Sequence, residues 1–427
     1  MVLAAACGTP TQRAPEAAPT SAPAPRPPAA LLHWNWAGPE HRFSRANKVV
    51  LDDFQVRNPG RVTVEVGEGA AGVNLTKIKA ALAANTPPNL WTPWQVEAAD
   101  LWSLNALVDL NAELRTHKDW GRLKSELIPA LVEGATWKGK LTLMAMFPDP
   151  HGLGYNKQFL SQAGVAFPRF GYTWDEFLDI GRTTAQPPDR VLFNFQYQWH
   201  FLQWWTLSNG HFPLSADRTK VTYDAPAQLQ TLEWLHEQVS RTQLARNGPG
   251  EFNEGKSVTE IINAGTVVPP RFPAVDPGDG SGIQINHYPL GPSNAKKEPV
   301  TYGNIFGFVV FKHANKVAAA AEIAAWSVRP DVQLKVSEAS GHAPANLVAA
   351  RDPNLSRALK DNPLLKTLND LAKYYYATPN LPSWSKITGT INENLGRIAK
   401  GELRPKEALA DIQSKAQPLV DEDLTRG

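Results

Sequence analysis

The chain has 427 residues, 42% of them hydrophobic, and a formal net charge of +2. That length has room for two domains and that composition for a sizeable core. No run of about 18 apolar residues is present to span a membrane, and acids and bases alternate instead of forming the basic patch of a dedicated nucleic-acid binder.

The only cysteine is Cys7, so no intrachain disulfide can form. It follows Val2-Leu3-Ala4-Ala5-Ala6 and precedes Gly8. This setting resembles a bacterial lipobox, where signal peptidase cuts and the cysteine is acylated. Residues 1–7 are read as the remainder of a signal peptide. They are too short for a charged start and a full apolar segment, so Met1 is expected to be a trimmed or mis-assigned start. Residues 8–30 are mostly Pro and Ala and predict an extended, disordered tether, reaching about 70 Å as polyproline II.

Leu31–Trp36 reads as a strand, followed by a helix over about Arg45–Arg57. Asn58-Pro59-Gly60 turns into a second strand at Arg61–Val66. Asn74–Ala84 is helical, and Asn89-Leu90-Trp91 is a short buried strand. Strands alternating with helices predict a parallel, doubly wound sheet.

Within Leu153–Arg182, Asn156 can cap a helix over Lys157–Ala163, with Gly164 as its left-handed stop. Thr173 and Glu176 form a capping box, and Trp174, Phe177 and Leu178 share one apolar face. Further on, Asp224 is placed as the cap of a helix with Pro226 in its first turn and Leu229, Leu232, Leu235 and Val239 as its buried stripe. Phe308–Phe311 is a buried strand, Lys316–Val328 an alanine-rich helix, and Leu409–Ala416 the last helix.

Several phrases together resemble the extracellular solute-binding proteins of bacterial ABC importers, of the family 1, maltose-binding type. They are Tyr155-Asn156-Lys157, Ala163-Gly164-Val165, Thr173–Phe177, Phe252-Asn253-Glu254-Gly255-Lys256, Tyr288–Pro292 and Ser340-Gly341-His342-Ala343-Pro344. Phe54…Asn58-Pro59-Gly60 and Pro87-Pro88-Asn89-Leu90 resemble the same family's opening lobe, with Asn89 where many members carry Asp. The shared order runs from Leu31 to Ala416. The resemblance implies a type II periplasmic-binding-protein fold: two α/β lobes joined by a multi-strand hinge. Lobe one is expected over 31–145 plus 305–350, and lobe two over 146–304 plus 351–427.

Gly250–Ser257 reads GEFNEGKS, which matches a phosphate-binding P-loop letter for letter. Such a loop needs a hydrophobic strand before it and a helix after it. The preceding TQLARNGP is polar and broken, so nucleotide hydrolysis is not expected. The ten histidines form no zinc pattern, Asp276–Gly282 lacks the acids of a calcium loop, and no G-x-S-x-G is present. No cofactor, metal or catalytic residue is expected.

The informative excess is aromatic, with 14 Trp. Ligands of open α/β sheets bind beyond the carboxyl ends of the strands. Trp36 ends the first strand, and Trp91 and Trp94 end the third. The resemblance adds Trp199 and Trp384 as sugar-stacking positions and Tyr302-Gly303 as part of the return crossing. Asn35, Glu40, Gln95 and Tyr197 could meet hydroxyls. Trp204, Trp205 and Trp326 are assigned to the core. The resemblance implies a monomeric lipoprotein that binds a carbohydrate between its lobes and delivers it to a membrane permease. The alternatives are a surface-tethered carbohydrate-active enzyme, which requires two cleft carboxylates within about 5–10 Å, and a binder of a peptide, polyamine or glycerol phosphate, which requires a cleft charge of opposite sign.

Overall fold

The computed structural model describes residues 29–66, 73–248, 251–264, 282–358, 363–378 and 380–425. Cys7, residues 8–28 of the expected tether and the loop around Asp276 therefore lie outside the described residues, while Ala29 and Ala30, assigned to the tether from sequence, open the first strand by pairing with Val62 and Thr63.

The first sheet starts with β1 (Ala29–Trp34), which pairs in parallel with β2 (Val62–Val66) and β3 (Leu90–Trp91). The strand read through Trp36 stops two residues earlier, which leaves Asn35 and Trp36 in the loop beyond it. Helix α1 (Arg42–Arg57) starts three residues before its expected start because the His41 ring nitrogen caps it, accepting from the Phe43 amide at 3.3 Å. Its buried face is Phe43, Ala46, Val50, Leu51 and Phe54. Helix α2 (Leu75–Ala83) is capped by Asn74. Asn89 holds β1 through Oδ1, which accepts from the Leu32 amide at 2.8 Å, while its Nδ2 donates to the Asn315 carbonyl. A carboxylate could not make the second bond, which accounts for Asn at this position. Helix α3 (Gln95–Ser103) follows β3 directly.

Strand β4 (Met144–Pro150) runs antiparallel to the long strand Thr301–Val310 and leads into β5 (Gly152–Asn156). Helix α4 (Lys157–Gln162) has Asn156 as its cap, and α5 (Trp174–Thr184) has the Thr173–Glu176 capping box. Helix α6 is Trp199–Ser208, and α7 is Pro226–Ser240. The cap of α7 is Ala225 without a side-chain bond, not Asp224, and its buried apolar stripe narrows to Leu232 and Leu235. Strands β6 (Thr259–Ile262) and β7 (Ile283–Asn286) flank β5 in a second, antiparallel sheet.

Strand β8 (Thr301–Val310) joins the two regions: it pairs antiparallel with β3 at Val309–Val310 and with β4 along Gly303–Phe308. A Cβ on Gly303 would lie 1.8 Å from the Asp149 carbonyl oxygen, and one on Gly307 1.9 Å from that of Met144. Only glycine lets these crossing strands approach so closely. Helices α8 (Val317–Trp326) and α9 (Pro330–Ser340) pack back on α1, and β9 (Tyr375–Ala377) runs parallel to the start of β8. The chain closes with α10 (Trp384–Ala399) and α11 (Pro405–Thr425), the latter much longer than its expected core of Leu409–Ala416.

Two large cores result. One gathers Leu31, Val50, Trp91, Phe147, Phe306 and Val332, and the other Tyr155, Trp174, Phe193, Trp205, Trp384 and Leu409. Trp204 and Trp205 are buried; Trp326 is only partly so, and its indole N–H donates to Asp53 at 2.9 Å. The P-loop reading has no structural counterpart among the described residues: Phe252–Glu254 is a single 3-10 turn, strand β6 follows instead of a helix, and the Lys256 ammonium is paired with Glu254 at 2.7 Å and Glu251 at 3.3 Å.

Candidate functional site between the lobes

The loops after β1 and β3 bring together one aromatic wall. Trp36 and Trp94 stand edge to face at 5.5 Å, and Trp94 lies 3.6 Å from Phe306 of β8. His41 and Phe43 extend this wall, with centroids 4.6 Å apart. Trp36 and Trp94 are only partly buried, so ring surface remains for a partner.

A second wall forms at the start of α6. Trp199 is partly exposed and stands at right angles to Trp384 at 6.0 Å and to Tyr302 at 6.2 Å. Trp384, the first residue of α10, is 1% exposed, so it supports Trp199 from below. Beside it, His151 and His200 pack on Trp204 at 5.1 and 5.4 Å. Burial, and then the neighbouring His151, lower the His200 pKa to about 4, so this wall is uncharged at neutral pH.

Polar groups line the crossing between the walls. Asp149 of β4 has no exposed surface; its Oδ1 accepts from His342 Nε2 at 3.2 Å, its Oδ2 from the Asn263 amide at 3.1 Å, and Arg42 lies 3.8 Å away. Burial alone would raise its pKa, but the His342 hydrogen bond first, and then the electrostatic attraction of His342, His151 and the Arg42 guanidinium, outweigh it and hold the carboxyl at about 2. A seam beyond the walls joins α10 to α3, where Ser385 donates to Asp100 at 3.1 Å. Near that seam, burial, opposed by the Trp94 amide bond and aided by Asp100, raises Glu97 to about 7.

The polar residues named from sequence are mostly engaged internally. Asn35 accepts from Asn47 at 2.8 Å, and Gln95 is fully buried with Oε1 on the Ile305 amide at 2.7 Å. Tyr197 meets His236 at 2.8 Å and lines a separate depression with Asn247 and Lys400. Tyr302 is buried and accepts from Thr378 at 2.8 Å, and Gly303 is packed within the crossing strands. Glu40 is exposed on the loop before α1. Of the named residues, the structure thus brings Trp36 with Trp94, and Trp199 with Trp384 and Tyr302. The groups that sequence reading missed are His41, Arg42, Asp149, His151, His200, Asn263 and His342. Only His342 had a signal, as the variable residue of Ser340-Gly341-His342-Ala343-Pro344. Among the described residues no cluster of His, Cys, Asp and Glu could hold a metal ion.

The family model for bacterial extracellular solute-binding proteins matches residues 50–367. Among solved structures, the cyclic α-maltosyl-1,6-maltose binding protein from Arthrobacter globiformis has a TM-score of 0.78 at 18% identity, covering 92% of this chain and 100% of that one. The GacH receptor of Streptomyces glaucescens, solved with acarbose, has a TM-score of 0.73 at 15% identity, with 92% and 99% covered. UgpB from Mycobacterium tuberculosis, solved with glycerophosphocholine, has a TM-score of 0.73 at 17% identity, with 93% and 99% covered. No curated protein matches the sequence significantly. At these identities the structural likeness establishes the fold, that of the type II periplasmic binding proteins. With the family model spanning well over half of its length, the chain belongs to the bacterial extracellular solute-binding proteins.

Proposed function

We propose that this protein captures a carbohydrate between its lobes and delivers it to the membrane permease of an ABC importer. The observation that carries the reading is the pair of partly exposed aromatic walls, Trp36 with Trp94 and Trp199 on Trp384, borne by different lobes. Flat apolar sugar faces suit such platforms, and contact with both walls at once favours the closed form by hinge motion. The two separate cores support lobes that move as units, with expected limits of 31–145 plus 305–350 and 146–304 plus 351–427. Sugar complexes among the structural neighbours support the ligand class. Binding and release involve no chemical step, so no residue is assigned a catalytic role. In this reading acylated Cys7 and the Pro/Ala segment tether a monomer to the outer face of the membrane.

A thermal-shift screen across mono- and oligosaccharides tests the proposal, because ligand at a hundred times its dissociation constant adds about 2.7 kcal/mol. Stabilisation by a glycan is expected. Stabilisation by glycerophosphodiesters, polyamines or peptides and by no sugar would overturn the ligand class. Glycan hydrolysis would overturn the binding-protein reading.

A further inference from the structure

Asp149 sits on crossing strand β4 and is tied to both lobes. On the first-lobe side it meets His342, which follows α9, and Arg42, the first residue of α1. On the second-lobe side it meets Asn263, which follows β6. We infer that Asp149, His342, Arg42 and Asn263 form a positioning device through the hinge that sets the angle between the lobes, and with it the free energy of closing on solute. The link to solute rests on the cleft reading above; the link to the lobe angle does not.

The donor and acceptor roles follow from charge. An ionised carboxylate only accepts, so His342 carries its proton on Nε2 toward Asp149. Arg42 Nε, 3.3 Å from that same nitrogen, then acts through its charge on Asp149. The second Asn263 amide hydrogen points to His151 Nε2 at 3.2 Å. His151 Nδ1 is then the protonated nitrogen, and it donates to the Tyr302 carbonyl of β8 at 3.0 Å. One second-lobe amide is therefore held by β4 directly, through Asp149, and by β8 at one remove, through His151.

This arrangement is stiff for a physical reason. A dry carboxylate must keep its partners, since each one lost leaves charge uncompensated. A lobe rotation that withdrew Asn263 would have to bring water in its place. The local chain geometry serves the same end. Gly341, at φ 75°, ends α9, and the next residue stacks its ring on Phe147 at 4.3 Å and 24°, with an edge toward Asp149. The unassigned histidine of the Ser340–Pro344 motif thereby has a role.

The test places spin labels on cysteines introduced at exposed Lys48 and Arg404, one per lobe, in a Cys7→Ser background, and reads the interlobe distance without solute. Asn263→Ala and Asp149→Asn should each shift or broaden the distance distribution. Affinity for a sugar found by thermal shift should fall roughly tenfold or more, the weight of a hydrogen bond to a charged group. His342→Phe, which keeps the stacked ring without the donor, should behave alike. Because Asn263 is partly exposed, whereas Asp149 and His342 are buried, its variant still reports if the buried ones fail to fold. Wild-type distances in Asn263→Ala would overturn the inference, whatever happens to affinity. Shifted distances in a protein that no sugar stabilises would uphold it while removing the carbohydrate reading.

Discussion

Trp199 and Trp384 stand edge to face with centroids 6.0 Å apart, and only Trp199 keeps surface for a ligand. The two residues therefore answer differently to truncation. Trp199→Ala, and Trp94→Ala on the other wall, should each weaken solute binding roughly twentyfold or more, as loss of an aromatic anchor of about 2 kcal/mol implies. Trp384→Ala should instead cost about 3–5 kcal/mol of stability, as large buried truncations do, with any loss of affinity secondary. Trp326→Ala is the contrast: it removes the Asp53 bond and should lower stability while leaving affinity intact. Calorimetric titration with thermal melts separates the four, and wild-type affinity in both Trp94→Ala and Trp199→Ala would refute the placement of the walls.

Lys256→Ala should leave solute affinity and melting temperature close to wild type, and the protein should turn over no ATP. The side chain is exposed between two acids, and a strand follows it where a phosphate-binding helix would have to start. ATP hydrolysis abolished by this change would contradict the fold-based reading of GEFNEGKS.

Glu97 sets a pH dependence whose sign can be worked out. Its folded pKa, about 7, lies above the ordinary value of 4.5, so the native state binds more protons than the unfolded chain between those limits. Stability from this group is full below about pH 4.5, falls as pH rises, and is lost above about pH 7. Glu97→Gln should flatten that slope and make the protein more stable than wild type at pH 8. Chemical denaturation at pH 5, 6, 7 and 8 measures it, and parallel slopes for the two proteins would exclude the assignment.

Cys7→Ser, expressed behind a full secretion signal, should move the protein from the membrane to the soluble fraction. Persistent membrane association of this variant would rule out the acyl anchor.

Local rules were legible in the residues themselves. The Thr173–Glu176 capping box, the Asn156 cap and the alternation of β1, β2 and β3 with helices each depend on neighbours a few positions apart, which sequence displays directly. The order of short phrases likewise carried the fold and the family. The interior of the site was not legible. Asn35, Gln95 and Tyr197 are polar residues near strand ends, as ligand contacts would be, yet each spends its hydrogen bond inside the protein. Asp149, His342, Arg42 and Asn263 are spread over a stretch of chain in which Arg42 and His342 lie 300 positions apart, and they meet only because β4 and β8 cross side by side through Gly303 and Gly307. Periodicity and caps are properties of one segment. Which polar groups remain for a ligand depends on which neighbours satisfy them first, and that is decided by tertiary packing.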